Sequence, residues 1–190
     1  SMDDEVAAIA QDTSQFLFAA VPVMNWNDEL SPWKSPAVWG KQGFGGNPMG
    51  TLRFLTEQVV PTLKRQFNLP EDVKIIPGGY SLVGLFALWV STQTNLFYGI
   101  AAASSSVWFP RWMEFEQQHP VQTQHVYLNL GDREERTKNP VMAAVDDNIC
   151  TLYSKLIERG TDCTLEWNCG GHFKEANLRT ARAFQWVVEK

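Results

Sequence analysis

The sequence is poor in the features that would place it in several large classes of protein. Three of its 190 residues are cysteines (Cys150, Cys163 and Cys169), an odd and sparse set that excludes a disulfide-stapled scaffold and reads as reduced thiols of a cytoplasmic protein. No run approaches the roughly 20 apolar residues of a membrane-spanning helix. Positive charge is in the minority: Lys+Arg 16 against Asp+Glu 21 leaves a net charge of −5, which gives no general reason to expect nucleic acid or an anionic membrane as partner. The acidic start Met2-Asp3-Asp4-Glu5 lacks the basic region of a secretory signal. Ser1, ahead of Met2, is set aside as a residue added for expression. Repeats, linkers and low-complexity tracts are missing. The Gly45-Gly46 and Gly78-Gly79 pairs lack the spacing of a dinucleotide or phosphate loop. Cys163, Cys169 and His172 have no second ligand pair for zinc. Neither a cofactor nor a metal is therefore expected.

What is present is an ordinary globular composition, 44% hydrophobic and 19% charged, sized for a single domain over residues 2–190. Apolar runs of strand length alternate with amphipathic stretches of helix length. A short helix is expected at 4–12. The near-continuous apolar run 16–23 predicts a strand buried on both faces, and a long loop follows over 25–47. Pro48 opens a helix with Leu52, Leu55, Val59 and Leu63 as its stripe. Further strands are predicted over 73–79, 97–103, 126–130 and 163–167, with helices over 82–93, 111–118, 140–159 and 175–188. This alternation predicts an α/β fold, a mostly parallel sheet between two helical layers.

In such a sheet ligands bind beyond the carboxyl ends of the strands, so the loops there carry the chemistry. Gly79-Tyr80-Ser81-Leu82-Val83-Gly84 places a serine between a strand and a helix, with glycine two residues before it. A serine hydroxyl becomes a nucleophile only when exposed on a tight turn beside a base, and the helix start supplies N–H groups for an oxyanion. Val83 stands where the usual G-x-S-x-G pattern has its last glycine, with Gly84 one place late. That substitution requires a wider gap or a displaced helix. His172, in a glycine-rich turn after the last strand, is the candidate base. His119 precedes Pro120 in a connection, and His125 begins a strand at the far end of the sheet. The acid belongs to Gly131-Asp132-Arg133-Glu134-Glu135, where Glu134 is favoured and Asp132 and Glu135 remain alternatives.

Together with Phe18-Ala19-Ala20-Val21-Pro22, the segment 25–33, Phe44-Gly45-Gly46, Ser104-Ser105-Ser106-Val107-Trp108 and Gly170-Gly171-His172-Phe173, these motifs resemble the putative-esterase branch of the α/β-hydrolases, which includes esterase D-like and siderophore-esterase-like enzymes. The resemblance extends from about residue 16 to 186 and implies a minimal, lidless hydrolase fold whose sheet lacks strands that many members carry ahead of Phe16. It also implies Ser81 as nucleophile, His172 as base and Glu134 as acid, with the backbone N–H of Leu82 as one oxyanion donor. The second donor is expected near Asn25 or Trp26.

The expected reaction is hydrolysis of a small-molecule carboxylic ester through an acyl-enzyme, without metal. Two other readings use the same residues: a non-catalytic binding domain on a hydrolase scaffold, and acyl transfer to another acceptor. Tryptophan is abundant, 8 residues. Trp26, Trp33, Trp39, Trp108 and Trp112 fall in or near loops at the carboxyl end of the sheet. Asn25, Trp33, Trp108 and Trp112 are accordingly expected to line the substrate pocket, while Trp89, Trp167 and Trp186 belong to packing. An exposed sheet edge would suit a homodimer.

Overall fold

The computed structural model describes residue 7, residue 9 and residues 16–190, so the helix expected at 4–12 lies outside the described residues apart from two helical positions. Its framework is a four-stranded, fully parallel sheet in the order β1 (Gly78–Tyr80), β2 (Gly99–Ala103), β3 (His125–Gly131) and β4 (Asp162–Asn168). Helix α1 (Trp26–Glu29) and the segment α2 (Pro48–Arg53) to α3 (Val60–Gln66) precede β1. Helices α4 (Leu82–Gln93), α5 (Trp112–Gln118), α6 (Pro140–Ala143), α7 (Val145–Glu158) and α8 (Ala176–Val188) follow in chain order.

The two faces of the sheet are sorted by the period-two alternation of the strands. On β2, Ile100 and Ala102 join the large core with Leu85, Leu88 and Trp89 of α4 and Ile149, Leu152 and Leu156 of α7. Ala101 and Ala103 point the other way, where with Tyr127 they meet Ala183 and Val187 of α8. Small side chains on this second face let α8 come close. A Cβ at Gly99 would stand 2.4 Å from Val187, and one at Gly78 would stand 2.8 Å from Phe184. Helices on both faces make the three-layer α/β/α arrangement that the alternation predicts.

Two expectations are corrected. The apolar run 16–23 forms no strand; it takes no regular structure and its residues are exposed or half-buried. Leu17 is 41% exposed, while Phe18 meets Phe184 edge-on with ring centroids 5.8 Å apart. Apolar content alone does not make a strand, because the backbone also needs a ladder partner. Among the described residues β1 pairs only with β2. The strand expected over 73–79 is likewise shorter and later. Its two glycines are in the strand, and Ser81 makes the turn. Before them, Ile75 and Pro77 only lend carbonyls to the N–H groups of Tyr98 and Ala101.

The helices depart from regularity where their residues demand it. Residues Phe54–Val59 between α2 and α3 form a π-helical stretch in which the Val60 N–H reaches the carbonyl of Leu55. Pro61 stands just beyond it. Proline has no N–H to give and crowds the carbonyl one turn back, and the wider turn relieves that conflict. The long helix expected over 140–159 is divided at Ala144, and Gly160, at φ +82°, ends α7 in the left-handed conformation that glycine adopts freely.

Leu128 lies in the middle of β3, fully buried between α4 and α7. Leu128→Ala is expected to lower unfolding free energy by about 2–5 kcal/mol, read as a lower midpoint in urea denaturation.

Candidate active site

Ser81 follows the last residue of β1 and caps α4, at φ +59° and ψ −120°. A residue with a Cβ held there stores strain of order 1–3 kcal/mol, and its surroundings must over-determine it. They do so through three backbone hydrogen bonds. The Ser81 N–H donates to Ala103 O at 3.0 Å, and its carbonyl accepts from the N–H groups of Leu85 and Ser106, both at 3.1 Å. The hydroxyl is thereby pushed out of the turn at the carboxyl end of the sheet.

Glycines set the spacing of this turn, though not as the motif suggested. Gly79 lies under the Val83 side chain, and a Cβ there would come within 2.6 Å of Val83 Cγ1. Val83 is thus accommodated by the missing side chain two residues before the serine. The close approach to the neighbouring strand falls one residue later. A Cβ on Gly84 would stand 2.4 Å from Ser105 Oγ, 3.1 Å from Gly79 O and 3.2 Å from Ala103 O. The displaced glycine sits where the helix start needs it.

Ser81 Oγ is 3.1 Å from His172 Nε2, and His172 Nδ1 is 2.7 Å from Glu134 Oε2. The three side chains come from loops after β1, β4 and β3. Of the carboxylates left open by the sequence, Glu134 is the one on the imidazole. Asp132 instead accepts the Gly170 N–H at 2.7 Å and so fastens the glycine turn that carries the histidine, and Glu135 pairs with Arg136 at 3.2 Å. Tyr80 closes that turn from the other side by donating to the His172 carbonyl at 2.5 Å.

Glu134 is almost withdrawn from water, its side chain 4% exposed. Burial alone would push its carboxyl upward. The His172 hydrogen bond and charge, the Gly131 N–H at 2.8 Å and the Ser104 hydroxyl at 2.8 Å outweigh it and hold the group below its ordinary value. Tyr80 is shifted upward, chiefly by burial.

The sequence reading missed three members of this network. Ser106 Oγ lies 3.3 Å from Ser81 Oγ, and Ser104 donates to Glu134 Oε1. Arg179 of α8, 1% exposed, donates from Nη1 to Glu134 Oε1 at 2.8 Å and to Ser104 Oγ and Tyr80 Oη, both at 3.1 Å. A signal for Arg179 existed. It falls on the same helix stripe as the buried Ala183 and Val187, where a solvated charge would not be placed.

The remaining expected residues are spread more widely. Leu82 opens α4, where a first-turn N–H has no acceptor within the helix. Trp26 opens α1 in the same way and is 49% exposed, whereas the Asn25 N–H is taken by Glu29 Oε1 at 2.8 Å. Trp112 is fully buried and Trp33 half-buried. Trp33 donates to Pro110 O at 3.1 Å and packs against Phe109 and Phe115. These two belong to an aromatic layer that anchors the loops, and Trp112 has no exposed surface. Half-buried Trp108 meets Phe44. Phe44, Asn25, Asn27, Lys34 and Gln42 line an open cleft of about 580 Å³. Neither Ser81 nor His172 lines it. Among the described residues no three His, Cys, Asp or Glu side chains gather as a metal site.

Residues 12–158 match the sequence profile of a family described as "Putative esterase", a span that includes Ser81 and Glu134 and stops short of His172. Comparison with curated proteins gives no match. Among solved structures, the chain is similar to the siderophore hydrolase EstA from Aspergillus nidulans, at 21% identity and TM-score 0.66 over 88% of this chain and 69% of that one. It is also similar to an IroE-like serine hydrolase from Shewanella oneidensis, at 15% identity and TM-score 0.78, covering 100% of this chain and 67% of that one. The enterobactin esterase FES from Shigella flexneri is a more partial likeness, at 16% identity and TM-score 0.57, with 71% of this chain and 37% of that chain covered. The chain thus spans about two thirds or less of these proteins, and at these identities what it shares with them is the fold.

Two measurements test the packing and charge of this region. Gly84→Val adds side chain against the backbone carbonyls of Gly79 and Ala103 and is expected to cost about 1–3 kcal/mol, visible as a lower urea midpoint. Glu134, held below its ordinary value, contributes stability above the unfolded pKa of about 4.3 and loses it as pH falls through the folded one. The destabilisation by Glu134→Gln, about 3 kcal/mol at pH 7 for a broken buried pair, is therefore expected to shrink as the pH falls below 4. A penalty constant from pH 7 to pH 3 would contradict the ionised assignment.

Proposed function

Because the chain belongs to the putative esterase family, we propose that it hydrolyses carboxylic esters through an acyl-enzyme on Ser81. The observation that carries this reading is the unbroken line of contacts from Ser81 Oγ to His172 Nε2 and from His172 Nδ1 to Glu134. His172 takes the hydroxyl proton as Ser81 Oγ attacks the ester carbonyl, and the C=O electron pair moves onto oxygen. The Leu82 N–H, at the positive end of α4, and the Trp26 N–H are the donors assigned to that oxyanion. Collapse expels the alkoxide, which receives the proton from His172. Water then repeats the sequence, with His172 as base, to release the acid and free Ser81. Glu134 keeps its charge throughout, orienting the imidazole and stabilising the imidazolium.

The substrate in this proposal is a small-molecule ester of a small acyl group or an aromatic alcohol, handled in the cytoplasm without cofactor. Support for a catalytic site over a merely scaffolding one comes from the stored strain. Arg111 and Glu175 also cap helices at positive φ, but in the ordinary left-handed region, whereas Ser81 is held at φ +59° and ψ −120° by three backbone hydrogen bonds, a conformation that capping alone does not require.

Ser81→Ala is expected to retain the wild-type circular dichroism spectrum. It should lower p-nitrophenyl acetate hydrolysis by about 10⁴-fold or more and abolish labelling by a fluorophosphonate probe. Turnover unchanged in that variant would sink the proposal.

A further inference from the structure

We infer that Arg179 is a positioning residue of this site, holding both ends of the Glu134–His172 hydrogen bond in place. The inference rests on the reading of Ser81, His172 and Glu134 given above and extends it to a residue on the last helix. Arg179 and Glu134 are both nearly dry, at 1% and 4% exposure, and lie 2.8 Å apart. A guanidinium with no solvent must find its acceptors in the protein, and each acceptor it has belongs to the apparatus around the histidine.

One end of the grip is on the acid. Glu134 has two oxygens with different duties. Oε2 faces His172 Nδ1 at 2.7 Å, and Oε1 receives Arg179 Nη1, the Ser104 hydroxyl and the Gly131 N–H, each at 2.8 Å. Three donors on Oε1 prevent the carboxylate from rotating and leave Oε2 free to address the imidazole. Arg179 also donates to Ser104 Oγ at 3.1 Å, which directs that hydroxyl proton toward Glu134.

The other end is on the histidine turn. Arg179 donates to Tyr80 Oη at 3.1 Å, leaving the phenol proton for the His172 carbonyl. Nη2 reaches toward the Gly171 carbonyl at 3.4 Å. The helix that carries Arg179 is itself tied to β3, because Asn129 Nδ2 donates to the Arg179 carbonyl at 3.2 Å. Nη1 alone meets Glu134, Ser104 and Tyr80 while Nη2 turns to the histidine turn, so the planar fork spans both ends at a fixed separation, which a lysine ammonium, a single nitrogen on a flexible stem, cannot do.

Arg179→Lys and Arg179→Met test the inference on the full-length protein, with folding followed by circular dichroism. The wild type should label with a fluorophosphonate and show a downfield Nδ1–H proton resonance from the Glu134–His172 hydrogen bond. Arg179→Lys should lower kcat for p-nitrophenyl acetate and the labelling rate about 10-fold, and Arg179→Met about 100-fold, with KM within twofold and the downfield resonance lost or broadened. A folded Arg179→Lys with wild-type labelling rate and an intact resonance would overturn the inference. So would a failure of both variants to fold, which would make Arg179 a residue of the fold alone. If the wild type itself is not labelled, it is the reading of Ser81 that fails.

Discussion

A carboxylate taken out of water is costly by several kcal/mol unless its lone pairs are met, and Glu134 is the place where this chain accepts that cost. Meeting it draws together parts of the molecule that are far apart in sequence. The Gly131 N–H comes from its own turn, the Ser104 hydroxyl from the loop after β2, the imidazole from the loop after β4, and the guanidinium from α8. The same groups that satisfy the charge also aim it, since three of them crowd one oxygen and leave the other to the histidine. Stability and geometry at this site are therefore one arrangement, and a change that loosens one loosens the other.

A second constraint lies at Ser81, and it is met by backbone rather than charge. The strained residue is tied to β2 through Ala103 and to the following loop through Ser106. That loop continues into Trp108 and Phe109, which meet Phe44, while Phe109 also meets Trp33. The aromatic layer thus bears on the serine at one remove. It holds the segment 25–45 against the loop that accepts the serine's backbone, which accounts for large buried rings in a region rich in loops. Exposed aromatics remain at the margin: Trp26, Trp39 and Phe173, the last 90% exposed and beside His172.

Much of the framework was legible because it depends on local periodicity and turn chemistry. The helix Leu82–Gln93 follows from an apolar run behind a serine, and β2 and β3 from buried runs bounded by polar turns. The run 16–23 was misread because apolarity reports a preference for burial and not the presence of a ladder partner. The displaced glycine was also read from the wrong side. By sequence Val83 reads as an obstacle, whereas the space it needs is provided by Gly79, and the crowding against β2 falls at Gly84. Only the path of the backbone across the turn reveals which residue faces which.

By itself the sequence determined the alternation of strands and helices, the serine turn, the histidine turn and the choice of three carboxylates near the acid position. Each of these is written within a few residues, in residue types whose local conformational and chemical preferences are strong. The tertiary structure decided which carboxylate meets the imidazole, which tryptophans are buried, and that a helical arginine belongs to the site at all. Those outcomes depend on desolvation and on distances between segments 38 to 99 residues apart. Only the closing of the sheet and the docking of α8 bring those segments together.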